Sequence, residues 1–325
     1  MGYLSSLSTR CLLKILGVSL AIMLTTGGLH PAYADQAPSS GFLVADPNQP
    51  PGNLTEVRRV PGSTKTYTLE QINDLSNPSD WMPAEHPPAP AIVSHGSGPG
   101  VPACAACHLY SGLGHPESAN LAGQPAAYLI QQMADFKSGA RLDPARMTAI
   151  GKAISDPDAR VAANWFASLK SKVWFRVVET ARVPQSRVTA DHLRVKLPGT
   201  GTELLGDQII EMAEDADRAI DRDPRSGFVS YVPPGSIAKG KVLAKGGVEG
   251  RSIACTTCHG PNLEGVGEVP RIAGLSAVYV GRQLSGFRGS TRTGPIAEPM
   301  RAAAAKLTDA DILALSAYLV SLEPR

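Results

Sequence analysis

The stretches ACAACHLYSG at 103–112 and ACTTCHGPNL at 254–263 decide how this chain folds, because each contains Cys-x-x-Cys-His. A Cys-x-x-Cys pair alone is ambiguous, since it serves equally as a redox couple or half of a zinc site. The histidine directly after each pair points to covalent haem attachment. Two thiols add across the two vinyl groups of the porphyrin, and the adjacent imidazole supplies the proximal iron ligand. Cys104, Cys107 and His108 make one such set, and Cys255, Cys258 and His259 the other. The competing arrangement, a four-cysteine zinc site drawing both pairs together, leaves both histidines without a role.

Each iron then needs a second axial ligand or an open position. After His259 the chain has no further histidine or cysteine and a single methionine, so the choice is Met300, a weak ligand or none. A thioether opposite an imidazole favours the ferrous state and suits an electron carrier. The stretch GPIAEPM that carries Met300 reads as a loop. In the first half His115, Met133 and Met147 all compete, and internal repetition chooses among them. Placing Cys104 on Cys255 sets Ala122-Gly123 on Ala273-Gly274, Tyr128 on Tyr279 and Phe136 on Phe287 without a gap. Met133 then falls on Leu284 inside the helical pattern AAYLIQQMADF and reads as core. A shift of two residues farther on brings Met147 onto Met300, which makes Met147 the candidate ligand for the first iron.

The aligned segments SDPDARVAANWFASL and TDADILALSAYLVSL each start with a hydroxyl N-cap and an acid three residues later, so each unit ends in an amphipathic helix. SIAKGKVLAKGG predicts a helix before the second attachment motif, with Gly240 allowing the helix that carries Tyr318 to approach closely. Its counterpart EHPPAPAIVSHGSG is too rich in proline for a regular helix. That leaves the first unit incomplete or capped by the preceding segment, with a more exposed haem.

Outside the repeats, residues 1–34 read as a secretory signal. Arg10 and Lys14 precede the apolar run ILGVSLAIML, which is followed by the small-residue pattern AYA. The run is shorter than the ~20 residues of a spanning helix, so retention of the signal is the lesser alternative. Without this segment 29 Lys and Arg oppose 29 Asp and Glu, a balance that excludes a nucleic-acid binder. The charge is polarised: 35–170 carries 9 basic against 12 acidic residues, and 236–325 carries 11 against 7. Residues 35–99 read as an irregular extension packed on the first unit, with TKTYTLEQI a candidate strand. Residues 171–235 read as a β-containing connection, with KVWFRVVE and HLRVKLPG alternating like strands and EMAEDADRAIDRDPRSG a polar stretch ending in a turn.

Together the attachment motifs, the Ala-Gly plus aromatic helix, the methionine and the final helix resemble the dihaem cytochrome c4 family over roughly residues 100–170 and 236–325. The resemblance implies a mainly α fold of two class I cytochrome c domains related by pseudo-twofold symmetry, here joined by a small β-containing insertion. It implies two covalently bound haem c groups, with iron ligands His108 and Met147 in one and His259 and Met300 in the other. In such domains a backbone carbonyl, usually of proline, accepts a hydrogen bond from the ligand histidine. Pro270 fits that place, and its counterpart is Ala119, which makes the orientation of His108 less secure. The role implied is periplasmic electron transfer between redox proteins: a dehydrogenase, a quinol-oxidising complex or a terminal oxidase. The chain would act free or as a complex subunit docked through 171–235, and would be membrane-associated only through a partner or a retained signal. The alternative is a dihaem enzyme such as a peroxidase with one catalytic haem, which two methionine-blocked irons oppose. Amino-terminal sequencing of the exported protein is expected to begin at Asp35; a start at Met1 would identify the leader as a retained anchor.

Overall fold

The computed structural model describes residues 52–249 and 251–324; the leader lies outside the described residues. In the first unit the one-turn helix Ala105–His108 holds the attachment motif, and two longer helices frame it. Helix α1 spans Ala126–Ser138 after Pro125 and stops at Gly139, whose φ of 82° ends the helix in the left-handed conformation. Helix α2 spans Asp156–Ala167; the Ser155 side chain accepts from the Asp158 amide, and Ala159, Ala162, Ala163, Trp165 and Phe166 are buried. Where a further helix would cross α2, the proline-rich stretch makes only the single turn Ala91–Ser94, with Ile92 and Val93 buried.

The connection supplies what that missing helix leaves uncovered. Strand β1 (Phe175–Glu179), strand β2 (Ile210–Ala213) and strand β3 (Phe228–Val232) form one sheet in the order β1-β3-β2, with β1 parallel and β2 antiparallel to β3. Two short hairpins, Arg182–Pro184 with Thr202–Leu204 and Ser186–Val188 with Arg194–Lys196, extend from it. Trp174, Phe175, Leu193 and Phe228 pack into one core with Leu113, Phe166 and Leu169 of the first unit. Burial of each large side chain contributes about 2–3 kcal/mol. The Trp174 indole also donates to the Gly114 carbonyl at 3.0 Å. Strands β2 and β3 were not legible in the sequence, since β3 is a short, almost wholly buried apolar run. The stretch after β2 forms the helix Ala216–Ile220, capped by Asp215, where the polar composition predicts only a turn.

The amino-terminal extension packs on the same unit. The Leu75 carbonyl accepts from Ala103, and the Trp81 indole donates to the Asp221 carbonyl at 2.6 Å. Only Tyr67–Thr68 of the candidate strand pairs, with Val57–Arg58. Thr68 and Gln71 then form a capping box that turns the chain into the helix Leu69–Ile72, so the local cap overrides the alternating pattern.

The second unit is the fuller copy. Helix α3 (Ser236–Gly246) crosses helix α5 (Asp309–Val320), and helix α4 (Ala277–Arg288) packs against α5. Thr308 and Asp311 form the capping box that opens α5. At the α3/α5 crossing, a side-chain carbon on Gly240 would strike the Ala314 carbonyl and come within 2.7 Å of the Tyr318 Cβ. Glu211 of β2 joins the insertion to this unit. Its buried carboxylate accepts from Ser230 Oγ at 2.7 Å, Ser276 Oγ at 2.5 Å and the Ala277 amide at 2.7 Å, at the start of α4. No helix among the described residues is long and apolar enough to cross a membrane.

Replacing a helical glycine by alanine ordinarily stabilises by ~1 kcal/mol. Because the α3/α5 backbones are in contact, Gly240→Ala is expected instead to destabilise by about 1–3 kcal/mol, measured by urea unfolding of the holoprotein.

Candidate haem-binding site

Each attachment turn ends in a residue with positive φ: Leu109 at 61° in the first and Gly260 at 82° in the second. Glycine takes this conformation freely and leucine does so at a cost, which the first unit tolerates with Leu109 buried in its core. The chain then folds back identically in both copies. The His108 carbonyl accepts from Gly114 at 3.0 Å, and the His259 carbonyl from Gly265 at 2.9 Å. His108 Nδ1 donates to the Ala119 carbonyl at 2.8 Å, and His259 Nδ1 donates to the Pro270 carbonyl, also at 2.8 Å. Alanine therefore serves as well as proline, because the acceptor is backbone. Burial lowers the pKa of both imidazoles against the opposing effect of these carbonyls. Each ring is thus favoured in its neutral form, with Nδ1 committed and the Nε2 lone pair left as the ring atom able to bind a metal.

The four cysteines form no disulfide. Burial pushes the Cys104 thiol up to about 12 and the Cys255 thiol up to about 11. Both sets line one continuous cavity of about 1120 Å³, and its wall also includes Met147 and Met300. Met147 is the first residue of the helix Met147–Ala153, where Asp143 Oδ1 accepts from the amides of Arg146 at 3.0 Å and Met147 at 3.3 Å. Met300 does not lie in a loop. It sits in the first turn of the helix Glu298–Ala304, which tolerates Pro299 because the first helical amides need no internal partner.

The other first-half candidates are accounted for. Met133 packs against the first core and borders the cavity. His115 Nδ1 accepts from the Glu117 amide at 3.3 Å, and its Nε2 lies 3.2 Å from Ser118 Oγ. Both ring nitrogens are occupied, and burial pushes its pKa down to about 3.

The structure adds residues that motif reading missed. Arg141 and Arg292 form an antiparallel backbone bridge, and they occupy equivalent positions in the two repeats. Arg141 donates to Gln132 Oε1 at 2.8 Å and Gln283 Oε1 at 2.8 Å; Arg292 donates to Gln283 Oε1 at 3.1 Å and Gln132 Oε1 at 2.5 Å. Gln132 and Gln283 are equivalent as well, so the four side chains close a ring across the pseudo-twofold axis. Arg141 lies 4.5 Å from the Phe136 ring centroid and Arg292 4.1 Å from that of Phe287. Both arginines are buried, and neither has an ion-paired carboxylate among the described residues. A second contact braces the histidine loops. Gln124 exchanges hydrogen bonds with the backbone of Arg271, beside Pro270, at 3.0 and 3.1 Å. Arg271 in turn donates to Asn120, beside Ala119, at 3.3 Å. The recurrence at one offset of Gln and Tyr within the helices and of Arg just after them was a signal in the sequence; the Gln124–Arg271 pairing had none.

Two haem-attachment motifs on matching helical frames define a c-type cytochrome, and the cytochrome c family model matches residues 237–323. Cytochrome c4 of Pseudomonas aeruginosa is 31% identical over 224 residues, covering 67% of this chain and 83% of that protein. The thiosulfate dehydrogenase electron acceptor of Thiomonas intermedia is 26% identical over 226 residues, covering 69% of this chain and 80% of that one. The crystal structure of reduced recombinant cytochrome c4 from Pseudomonas stutzeri aligns with a TM-score of 0.45 at 27% identity, covering 67% of this chain and 93% of that chain. The chain belongs to the cytochrome c4 family. It is a haem c protein of electron transfer, a carrier rather than an enzyme.

Because each glutamine serves both guanidinium groups, Gln132→Ala and Gln283→Ala are expected to be non-additive. Each should destabilise by about 1–3 kcal/mol, with a coupling of about 1 kcal/mol in a double-mutant cycle of urea unfolding; simple additivity would deny the ring its cooperativity.

Proposed function

We propose that the chain carries two haem c groups and relays single electrons between redox proteins of the periplasm. The observation that carries this reading is the duplicated arrangement of thiol pair, carbonyl-fixed histidine and cavity-lining methionine around one shared cavity. The residues fit the group in three respects. Cys104 with Cys107, and Cys255 with Cys258, are unpaired thiols available for thioether bonds. His108 and His259 present neutral imidazoles. Arg141 and Arg292 offer buried positive charge with no carboxylate in ion-pair contact among the described residues, Asp143 acting on Arg141 only from a distance, which suits an anionic cofactor edge.

Met147 and Met300, both on the cavity wall, would be the second protein ligand to the iron at each site. A haem held by these residues would supply a one-electron couple whose potential is set by its protein ligands and its burial. The protein's part is to hold His108 and His259 in fixed orientation, to exclude water with its two apolar cores, and to keep both sites within one rigid interface. The signal-like sequence at 1–34 supports a periplasmic location. The Thiomonas relative, named as the electron acceptor of a thiosulfate dehydrogenase, supports a dehydrogenase as one partner.

Intact mass of the purified protein should exceed that of the polypeptide by two haem groups, and an excess of one or none would defeat the reading. Met300→Ala and Met147→Ala should each convert one haem of the pair to a form that binds carbon monoxide and lower its potential by on the order of 0.1 V, read by redox titration.

A further inference from the structure

The repeat allows the two attachment turns to be compared position by position, and their surroundings differ. In the first, Ala103, Ala105 and Ala106 are 1%, 2% and 4% exposed. At the equivalent places in the second, Ala254 and Thr256 are half-buried and Thr257 is exposed. Cys107 is half-buried whereas Cys258 is exposed. Pro102 is half-buried, and its equivalent Ile253 is 57% exposed.

The insertion causes the difference. Arg222 Nη1 donates to the carbonyl of Ala106, between the two cysteines of the first motif, at 2.5 Å. Leu193 and Phe228 line the cavity beside it, and both belong to the core that the insertion shares with the first unit. The segment that replaces the missing helix thus closes over the first attachment turn and leaves the second turn the more exposed of the two, although His108 itself is half-buried and His259 is 6% exposed. At the second site the cavity mouth is bordered by exposed apolar side chains: Ile253, with Ile296 at 53%.

We propose that the insertion insulates the first site from other redox proteins, so that partners dock only at the second site, over Ile253, Cys258 and Ile296. The proposal rests on the two-haem reading above. Electron exchange between proteins falls steeply with the thickness of polypeptide between donor and acceptor, and only the second site leaves that thickness small. Each docking event moves one electron: the donor is oxidised by one, the chain is reduced by one, and no bond is made or broken. The first site then fills and empties through the second. The partner that fits is a redox protein with an apolar centre and an acidic margin, complementary to the apolar mouth and to a domain with 11 basic against 7 acidic residues.

Leu142, in the first half, is 51% exposed and lies off the cavity wall, and so provides an apolar control for Ile253 and Ile296. The holoprotein is mixed anaerobically with a small, acidic, pre-reduced single-haem cytochrome c. In the Ile253→Glu/Ile296→Glu variant the bimolecular rate of reduction should fall about tenfold, whereas Leu142→Glu should stay within about twofold of the parent. Hydrogen exchange of the parent with the donor bound should show protection over 251–258 and 294–299, and none over 102–107 or 219–226. If each site had its own entrance, the double variant would lose no more than about half its rate; that result, an equal slowing by Leu142→Glu, or protection over 102–107, would overturn the proposal. Haem content measured on the same samples separates the two readings: fewer than two haems per chain refutes the relay itself, whereas two haems with a twofold effect refutes only the insulation.

Discussion

The orientation of two histidine rings is the constraint on which the rest of this structure depends. His108 and His259 each spend Nδ1 on a backbone carbonyl, of Ala119 and Pro270, at 2.8 Å. A carbonyl has no side-chain requirement, which is why alanine replaces proline without loss of the bond. What the bond does require is a loop held still, and the two loops hold one another. Gln124 of the first unit pairs with the backbone next to Pro270, and Arg271 of the second reaches Asn120 next to Ala119. Ligand geometry in one half is therefore a property of the interface with the other half.

The same interface places two buried guanidinium groups near each other, an arrangement that costs free energy unless every donor is engaged. Gln132 and Gln283 engage both, and the rings of Phe136 and Phe287 lie against them. The contact is isologous within a single chain: duplicated sequence makes a self-complementary patch, as in a twofold dimer. Covalent linkage of the halves removes the association cost that a dimer would meet.

The two halves have nonetheless diverged in how they are finished. The second keeps an α3/α5 crossing tight enough to exclude any side chain at position 240. The first lost the equivalent helix to prolines and completes its core with Trp174, Phe175 and Phe228 from the insertion. Glu211 then ties that insertion to the start of α4 in the other half. A segment inserted between two domains is thus a structural part of both, and it leaves the two attachment turns unequal in exposure.

The attachment residues, the two matched methionines and the capped terminal helices were legible in the amino-acid sequence. Each depends on local spacing: Cys-x-x-Cys-His is a five-residue statement, and a Thr or Ser N-cap acts over a single turn. The approach of Gly240 to the helix carrying Tyr318 was legible too, because a lone glycine inside a helical pattern implies a close neighbour. The burial of the first attachment turn, the Gln124 brace and the three-stranded sheet were not. They join residues separated by 116, 147 and about 53 positions in the chain, and nothing local records which distant surface will meet which. By itself the sequence set out the candidate cofactor residues; the tertiary structure alone decided which of the two attachment turns faces solvent, because exposure is set by what packs over a residue and not by the residue itself.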